Sequence, residues 1–164
     1  MKTLLIVRHA KSDWDDPKLS DFQRPLNSRG HKNAPEMAHR LLRKKIVPQQ
    51  IVSSPANRAI TTAAYFSEAF GIEKSAIIQI PAIYEASSRT LLEIINNLDN
   101  QHDFIALFGH NPGITNLVTT LCQADIYNIP TCGMAFIEFP FDDWEMISED
   151  TGELKLYDFP KNPG

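Results

Sequence analysis

Thr3-Leu4-Leu5-Ile6-Val7-Arg8-His9-Ala10 and Phe104-Ile105-Ala106-Leu107-Phe108-Gly109-His110-Asn111-Pro112 contain two continuous apolar runs, each leading into a histidine. A short apolar run bounded by polar residues is the pattern of a strand covered on both faces, the situation of an interior strand in a parallel sheet. Ligands of open α/β sheets bind in the crevice beyond the carboxyl ends of the strands. The two imidazoles, far apart in sequence, are therefore expected at one end of one sheet.

Helical patterns alternate with these strands. Asn27 or Ser28 can cap a helix whose Ala34, Met37, Ala38, Leu41 and Leu42 fall on one face, with Pro35 expected to kink it or mark an irregular first turn. Gln50-Ile51-Val52-Ser53 reads as a strand, and Ser54-Pro55 as a cap followed by proline at the first helical position. Ala59, Ala63, Phe66 and Phe70 continue that helix to Gly71. Ile77 to Ile80 is a third strand, and Ser87 or Ser88 caps a helix carrying Leu91, Leu92, Ile94, Ile95 and Leu98. Asn111-Pro112 repeats the cap-plus-proline device before Ile114, Leu117, Val118 and Leu121.

After residue 125 the pattern turns to β at Met134 to Phe139, Trp144 to Ile147 and Leu154 to Phe159, and Lys161 to Gly164 are expected to fray. These elements predict an α/β three-layer sandwich, a mostly parallel central sheet flanked by helices with antiparallel C-terminal strands. One domain, residues 1–164, is expected, since 164 residues bury a sizeable core without staples.

Apolar residues make up 43% of the chain and charged residues 22%, the balance of a soluble globular protein. A net charge of −4 argues against general nucleic-acid binding, so any phosphate site must be a local cationic pocket. The apolar run at the N-terminus is too short to span a membrane, and no export signal is visible. Cys122 and Cys132 form neither a zinc-type spacing nor a Cys-x-x-Cys pair, and are read as reduced structural thiols in a cytoplasmic protein. No cofactor or metal is called for, and a monomer is the default.

Arg58 falls in the first turn of a helix that follows a strand. The helix dipole favours an anion there, and a guanidinium adds a permanently charged, bidentate fork. Arg8 offers a second fork beside His9. Two arginines and two histidines around one pocket suit a phosphoryl group, whose negative charge they would stabilise during transfer without a metal.

Arg8-His9-Ala10, Arg24-Pro25-Leu26 with Gly30, Ser53-Ser54-Pro55 with Arg58-Ala59 and Thr62-Ala63, and Gly109-His110-Asn111-Pro112 together resemble the histidine phosphatase superfamily. Within it they resemble the compact SixA-type phosphohistidine phosphatases, and the likeness covers nearly the whole chain. It implies a phosphoglycerate-mutase-like fold and a phosphatase in which His9 takes the phosphoryl group to form a phosphohistidine that water hydrolyses. Arg8, Arg58 and His110 would bind the phosphate oxygens. Nearby arginines would keep His9 unprotonated, and His110 would act as a cation. The implied partner is a phosphorylated protein bearing phosphohistidine. A small phosphorylated metabolite and a phosphate-dependent regulatory module without turnover are the alternatives.

Glu85, in Tyr84-Glu85-Ala86-Ser87, occupies the region from which larger relatives bring an acidic proton donor, and its alternative reading is a solvated loop carboxylate. Asp15 stands where mutase-type relatives carry asparagine, and its side chain is expected to turn away from an anion. Arg24 is expected to lock the loop by pairing with Asp21 or Asp16 rather than to touch phosphate. Lys11 and Ser12 are read as solvated loop residues, Trp14 and Trp144 as packing anchors, and His31, His39 and His102 as uninvolved.

Overall fold

A computed structural model describes residues 1–163; of the C-terminal stretch expected to fray, Gly164 lies outside the described residues. Six strands form one sheet: β1 (Lys2–Arg8), β2 (Gln50–Ser53), β3 (Ile78–Gln79), β4 (Phe104–Gly109), β5 (Met134–Phe139) and β6 (Glu153–Asp158). Their spatial order is β3-β2-β4-β1-β5-β6. Neighbours from β3 to β1 run parallel, whereas β5 and β6 add antiparallel to β1. Four helices complete the fold: α1 (Ser28–Arg43), α2 (Asn57–Phe70), α3 (Ser88–Asn96) and α4 (Gly113–Cys122).

Both faces of the central strands are covered, which is why β1 and β4 read as unbroken apolar runs. Leu4 and Ile6 join Ile105, Leu107 and the inner faces of α3 and α4 in one cluster. Leu5 and Val7 join Ala106, Phe108 and the inner faces of α1 and α2 in the other. The sheet is thus the middle layer of three. Lys2, fully buried at the start of β1, is satisfied by the Asn100 and His102 carbonyls and the Asp103 carboxylate.

Local chemistry sets most boundaries. The Asn27 side chain accepts from Gly30 N, Ser87 accepts from Thr90 N, and α2 closes on Gly71 in the left-handed conformation. The α1 helix runs through Pro35 as one segment. The α2 and α4 helices start later than their cap-plus-proline patterns suggest, at Asn57 and Gly113, so that Pro55 and Pro112 lie outside them.

Two strand expectations are corrected. Trp144 to Ile147 is no strand: Trp144–Met146 is a 3-10 turn. The Asn96 amide donates to the Trp144 and Ile147 carbonyls, and Asn100 accepts from Trp144 N, so side chains capture the groups a ladder would use. Trp144 is nevertheless the expected packing anchor, fully buried with its indole N–H on the His102 carbonyl. The β3 strand shrinks to two exposed residues at the sheet edge, stopped by Pro81, which lacks a donor. Both cysteines are free thiols, Cys132 buried. Among the described residues no helix is long and apolar enough to cross a membrane.

Candidate active site

The register of β1 against β4 sets Arg8 beside Gly109, so the next residues, His9 and His110, emerge side by side. His9 N donates to the Gly109 carbonyl at 3.1 Å, and the two imidazole centroids lie 5.2 Å apart. On the other side of β4, Ser53 pairs with Phe108, which brings Ser54 level with the same strand end. Three parallel strands thus deliver His9, His110 and Ser54 to one place.

The loop after β1 is tied down on both sides. Ala10 N donates to Thr62 Oγ1, which donates to the Arg58 carbonyl on α2. Gly30 packs so tightly on the Lys11 carbonyl that a Cβ would overlap it, which explains the glycine in the first turn of α1. Gly113, at the start of α4, leaves the same kind of space for the Ala86 carbonyl and so fixes the turn that carries Glu85.

A cavity of about 210 Å³ is lined by Arg8, His9, Arg58 and His110, with Lys11, Ser12, Trp14, Arg24, Asn111 and Thr131 around them. The four residues singled out by pattern converge. His9 Nδ1 donates to the Ala10 carbonyl at 2.7 Å, which puts the ring proton on Nδ1 and leaves the Nε2 lone pair unprotonated. Among the described residues, three buried side-chain nitrogens have no protein partner: Arg8 Nε, Arg58 Nε and His110 Nδ1. Unsatisfied buried donors are rare, and all three belong to residues lining this one cavity.

Burial above all, then His110, Arg58 and Arg8, lowers the His9 pKa to about 3. The arginine repulsion expected from sequence is real but secondary to desolvation. Burial and Arg58 likewise bring His110 down to about 4, so at neutral pH it is neutral rather than the cation expected. Burial and Arg58 also lower Arg8. A neutral His110 can still donate: Ser54 Oγ accepts from Ala56 N and lies 2.8 Å from His110 Nε2. With the hydroxyl proton turned toward Nε2, the ring proton sits on the unpartnered Nδ1.

Asp21 organises the cationic wall and was not singled out for this in the sequence. Its backbone carbonyl and carboxylate accept from the two terminal nitrogens of Arg58, at 2.7 and 3.0 Å. The same carboxylate takes Arg24 Nε and Nη2 and the Tyr84 hydroxyl. These contacts, Tyr84 first, hold Asp21 well below the usual carboxylate range, and Asp21 in turn pushes Tyr84 up to about 12. Arg24 is therefore the loop lock expected, paired with Asp21 and not Asp16.

Two loop expectations are corrected, those of Ser12 and Trp14. Ser12 is buried, accepting from Arg24 Nη1 at 2.7 Å. Lys11 is exposed but lines the cavity. Trp14 is no packing anchor: 71% exposed at the cavity, it stacks its ring 3.4 Å over the Arg24 guanidinium. Asp15 is exposed and does not line the cavity, as expected. Glu85, exposed with a φ of 58°, lines a neighbouring groove that shares His110 and Asn111 with the cavity. His31, His39 and His102 lie outside it.

Residues 4–88 match the family model of the histidine phosphatase superfamily, branch 1. The chain belongs to that family and is a hydrolase of phosphoryl groups. A chloroplastic protein of Arabidopsis thaliana, itself uncharacterised, is 30% identical over 152 residues, 88% of this chain and 69% of that protein. A solved structure from Agrobacterium tumefaciens assigned as the phosphohistidine phosphatase SixA superposes with a TM-score of 0.81 at 28% identity, covering 97% of this chain and 98% of that one. The protein histidine phosphatase SixA complexed with tungstate shares the fold at a TM-score of 0.80 and 21% identity, covering 96% and 97%.

Proposed function

We propose that the chain is a phosphohistidine phosphatase that dephosphorylates a protein through a phosphorylated His9. The observation that carries this reading is the convergence of Arg8, Arg58 and His110, each with a buried, unpartnered nitrogen, on one cavity with His9, whose Nε2 lone pair is left free by the Nδ1 bond to Ala10. Fixed donors aimed at developing negative charge in a water-poor site are the largest single contribution to many such reactions.

In the first step His9 Nε2 attacks phosphorus, the substrate's N–P bond breaks, and the departing imidazole nitrogen takes a proton from solvent. In the second, water attacks the phosphorus on His9, the P–Nε2 bond breaks, and inorganic phosphate leaves. Arg8, Arg58 and His110 hold the phosphate oxygens in both steps. The imidazole leaving group makes an enzymic proton donor unnecessary for this substrate; Glu85 would serve that purpose for poorer leaving groups. The similarity to the Agrobacterium structure supports a phosphohistidine substrate. Two unpaired thiols support a cytoplasmic setting.

The test is rapid quenching during turnover of a phosphohistidine protein, followed by mapping of acid-labile phosphate. The label is expected on His9 and is expected to vanish, with turnover, in His9→Ala. Turnover at the full rate in that variant would end the reading.

A further inference from the structure

Arg8, Lys11 and Thr131 line the His9 cavity and also a second groove, of about 390 Å³, to which Arg29, Asn33 and Lys161 contribute. Four of the groove's lining residues are cations and none is an acid. In a chain of net charge −4 this is a local inversion of sign. Among the described residues no carboxylate pairs with Arg8, Lys11, Arg29 or Lys161.

The construction of the groove accounts for that. Arg40 engages both Glu36 and Asp158, the carboxylates that α1 and the end of β6 would otherwise contribute nearby. It also takes the carbonyls of Phe159 and Pro160, which pins the segment leading to Lys161 against α1. Arg29 sits in the first turn of α1, where the positive end of the helix dipole disfavours a cation and no acidic residue offsets it. Helix stability gives no reason for an arginine there, and neither does an ion pair.

We propose that this groove is a second anion subsite, and that the phosphohistidine-bearing protein inserts acidic side chains into it alongside the phosphoryl group. The inference rests on the function proposed above and names the surface that its substrate presents. Long, solvated lysine and arginine side chains suit flexible carboxylates approaching from solution. Four cations with no acid among the lining of one short groove, on a chain of net negative charge, suit a few carboxylates and oppose an extended polyanion.

The experiment uses the full chain and two histidine peptides phosphorylated with phosphoramidate, one flanked by glutamates and the other by glutamines. At low salt kcat/KM is expected to be about tenfold higher for the glutamate peptide, the difference shrinking as salt screens the exposed charges. In the double variant Arg29→Glu, Lys161→Glu the preference is expected to disappear or reverse, with hydrolysis of p-nitrophenyl phosphate retained as the check on folding and chemistry. Equal rates for the two peptides in the native chain, a preference indifferent to salt, or one that survives the double variant would overturn the subsite and leave the His9 chemistry standing. Failure to hydrolyse either peptide would overturn the phosphohistidine reading and the inference with it.

Discussion

Asp21 Oδ2 lies 3.0 Å from Arg58 Nη2 while the backbone carbonyl of the same residue accepts from Nη1 at 2.7 Å, so both terminal nitrogens of Arg58 are held by one loop residue. Nε is the one nitrogen of Arg58 without a protein partner, and it belongs to a residue that lines the cavity. A carboxylate beside a phosphate site would ordinarily repel the substrate. Here its charge is spread over Arg58, Arg24 and Tyr84, and it works as a clamp on the cationic wall.

Asp21→Asn is therefore expected to lower kcat/KM, by roughly 10- to 100-fold, because displacement of a positioned charge by even about an ångström is costly in a preorganised site. Steady-state kinetics would check this, with Asp21→Glu expected to recover part of the loss. An unchanged rate in Asp21→Asn would mean that the backbone carbonyl alone holds Arg58.

Ser54 carries a second expectation. Its hydroxyl oxygen accepts from Ala56 N and lies 2.8 Å from His110 Nε2, where donation of the hydroxyl proton to the ring would favour the tautomer with its own proton on Nδ1. Ser54→Ala releases that choice without touching the phosphate oxygens. It is expected to reduce kcat about tenfold or less with KM little changed, and Ser54→Thr is expected to restore it if the hydroxyl keeps its place. Equal losses in the alanine and threonine variants would point to packing instead.

The strand ends were legible because their information is local: an unbroken apolar run followed by Arg8-His9 or Gly109-His110 needs only adjacent residues. Arg58 was legible for the same reason, through its place in the first turn of α2. Asp21 was not, because its partners Arg58, Arg24 and Tyr84 come from three separate segments, and an aspartate in a polar loop carries no mark of them. Ser54 was masked by a pattern with another meaning, since Ser-Pro before a helix reads as a cap. Trp144 to Ile147 looked like a strand because aromatic and apolar residues suit one, while the asparagines that take over its backbone lie in a distant helix and turn.

The buried, neutral histidines make stability depend on pH in a definite direction. In the folded protein His9 titrates near 3 and His110 near 4, whereas in the unfolded chain both titrate near the ordinary value of 6.5. Between those limits the unfolded state binds more protons, so stability is full above about pH 6.5 and falls as the pH drops toward 4. The slope approaches about 1.4 kcal/mol per pH unit for each ring. Urea unfolding at pH 7.5, 6.5 and 5 would show it, and His9→Ala is expected to remove one proton's share of the slope. A midpoint that does not move between pH 7.5 and 5 would contradict the neutral buried state.

Glu85 can be judged by leaving group. It lies outside the His9 cavity but on the groove that shares His110 and Asn111 with it, on a turn whose approach to α4 is set by Gly113. A proton donor there matters in proportion to the basicity of the departing atom. Glu85→Gln is thus expected to slow an alkyl phosphate by about 10²-fold or more, p-nitrophenyl phosphate by less, and a phosphohistidine peptide scarcely at all. Comparison of kcat/KM across the three substrates checks it, because loss of a structural contact would depress all three alike, whereas loss of an acid grades them by leaving-group pKa. A flat response with no loss would assign the carboxylate to solvent.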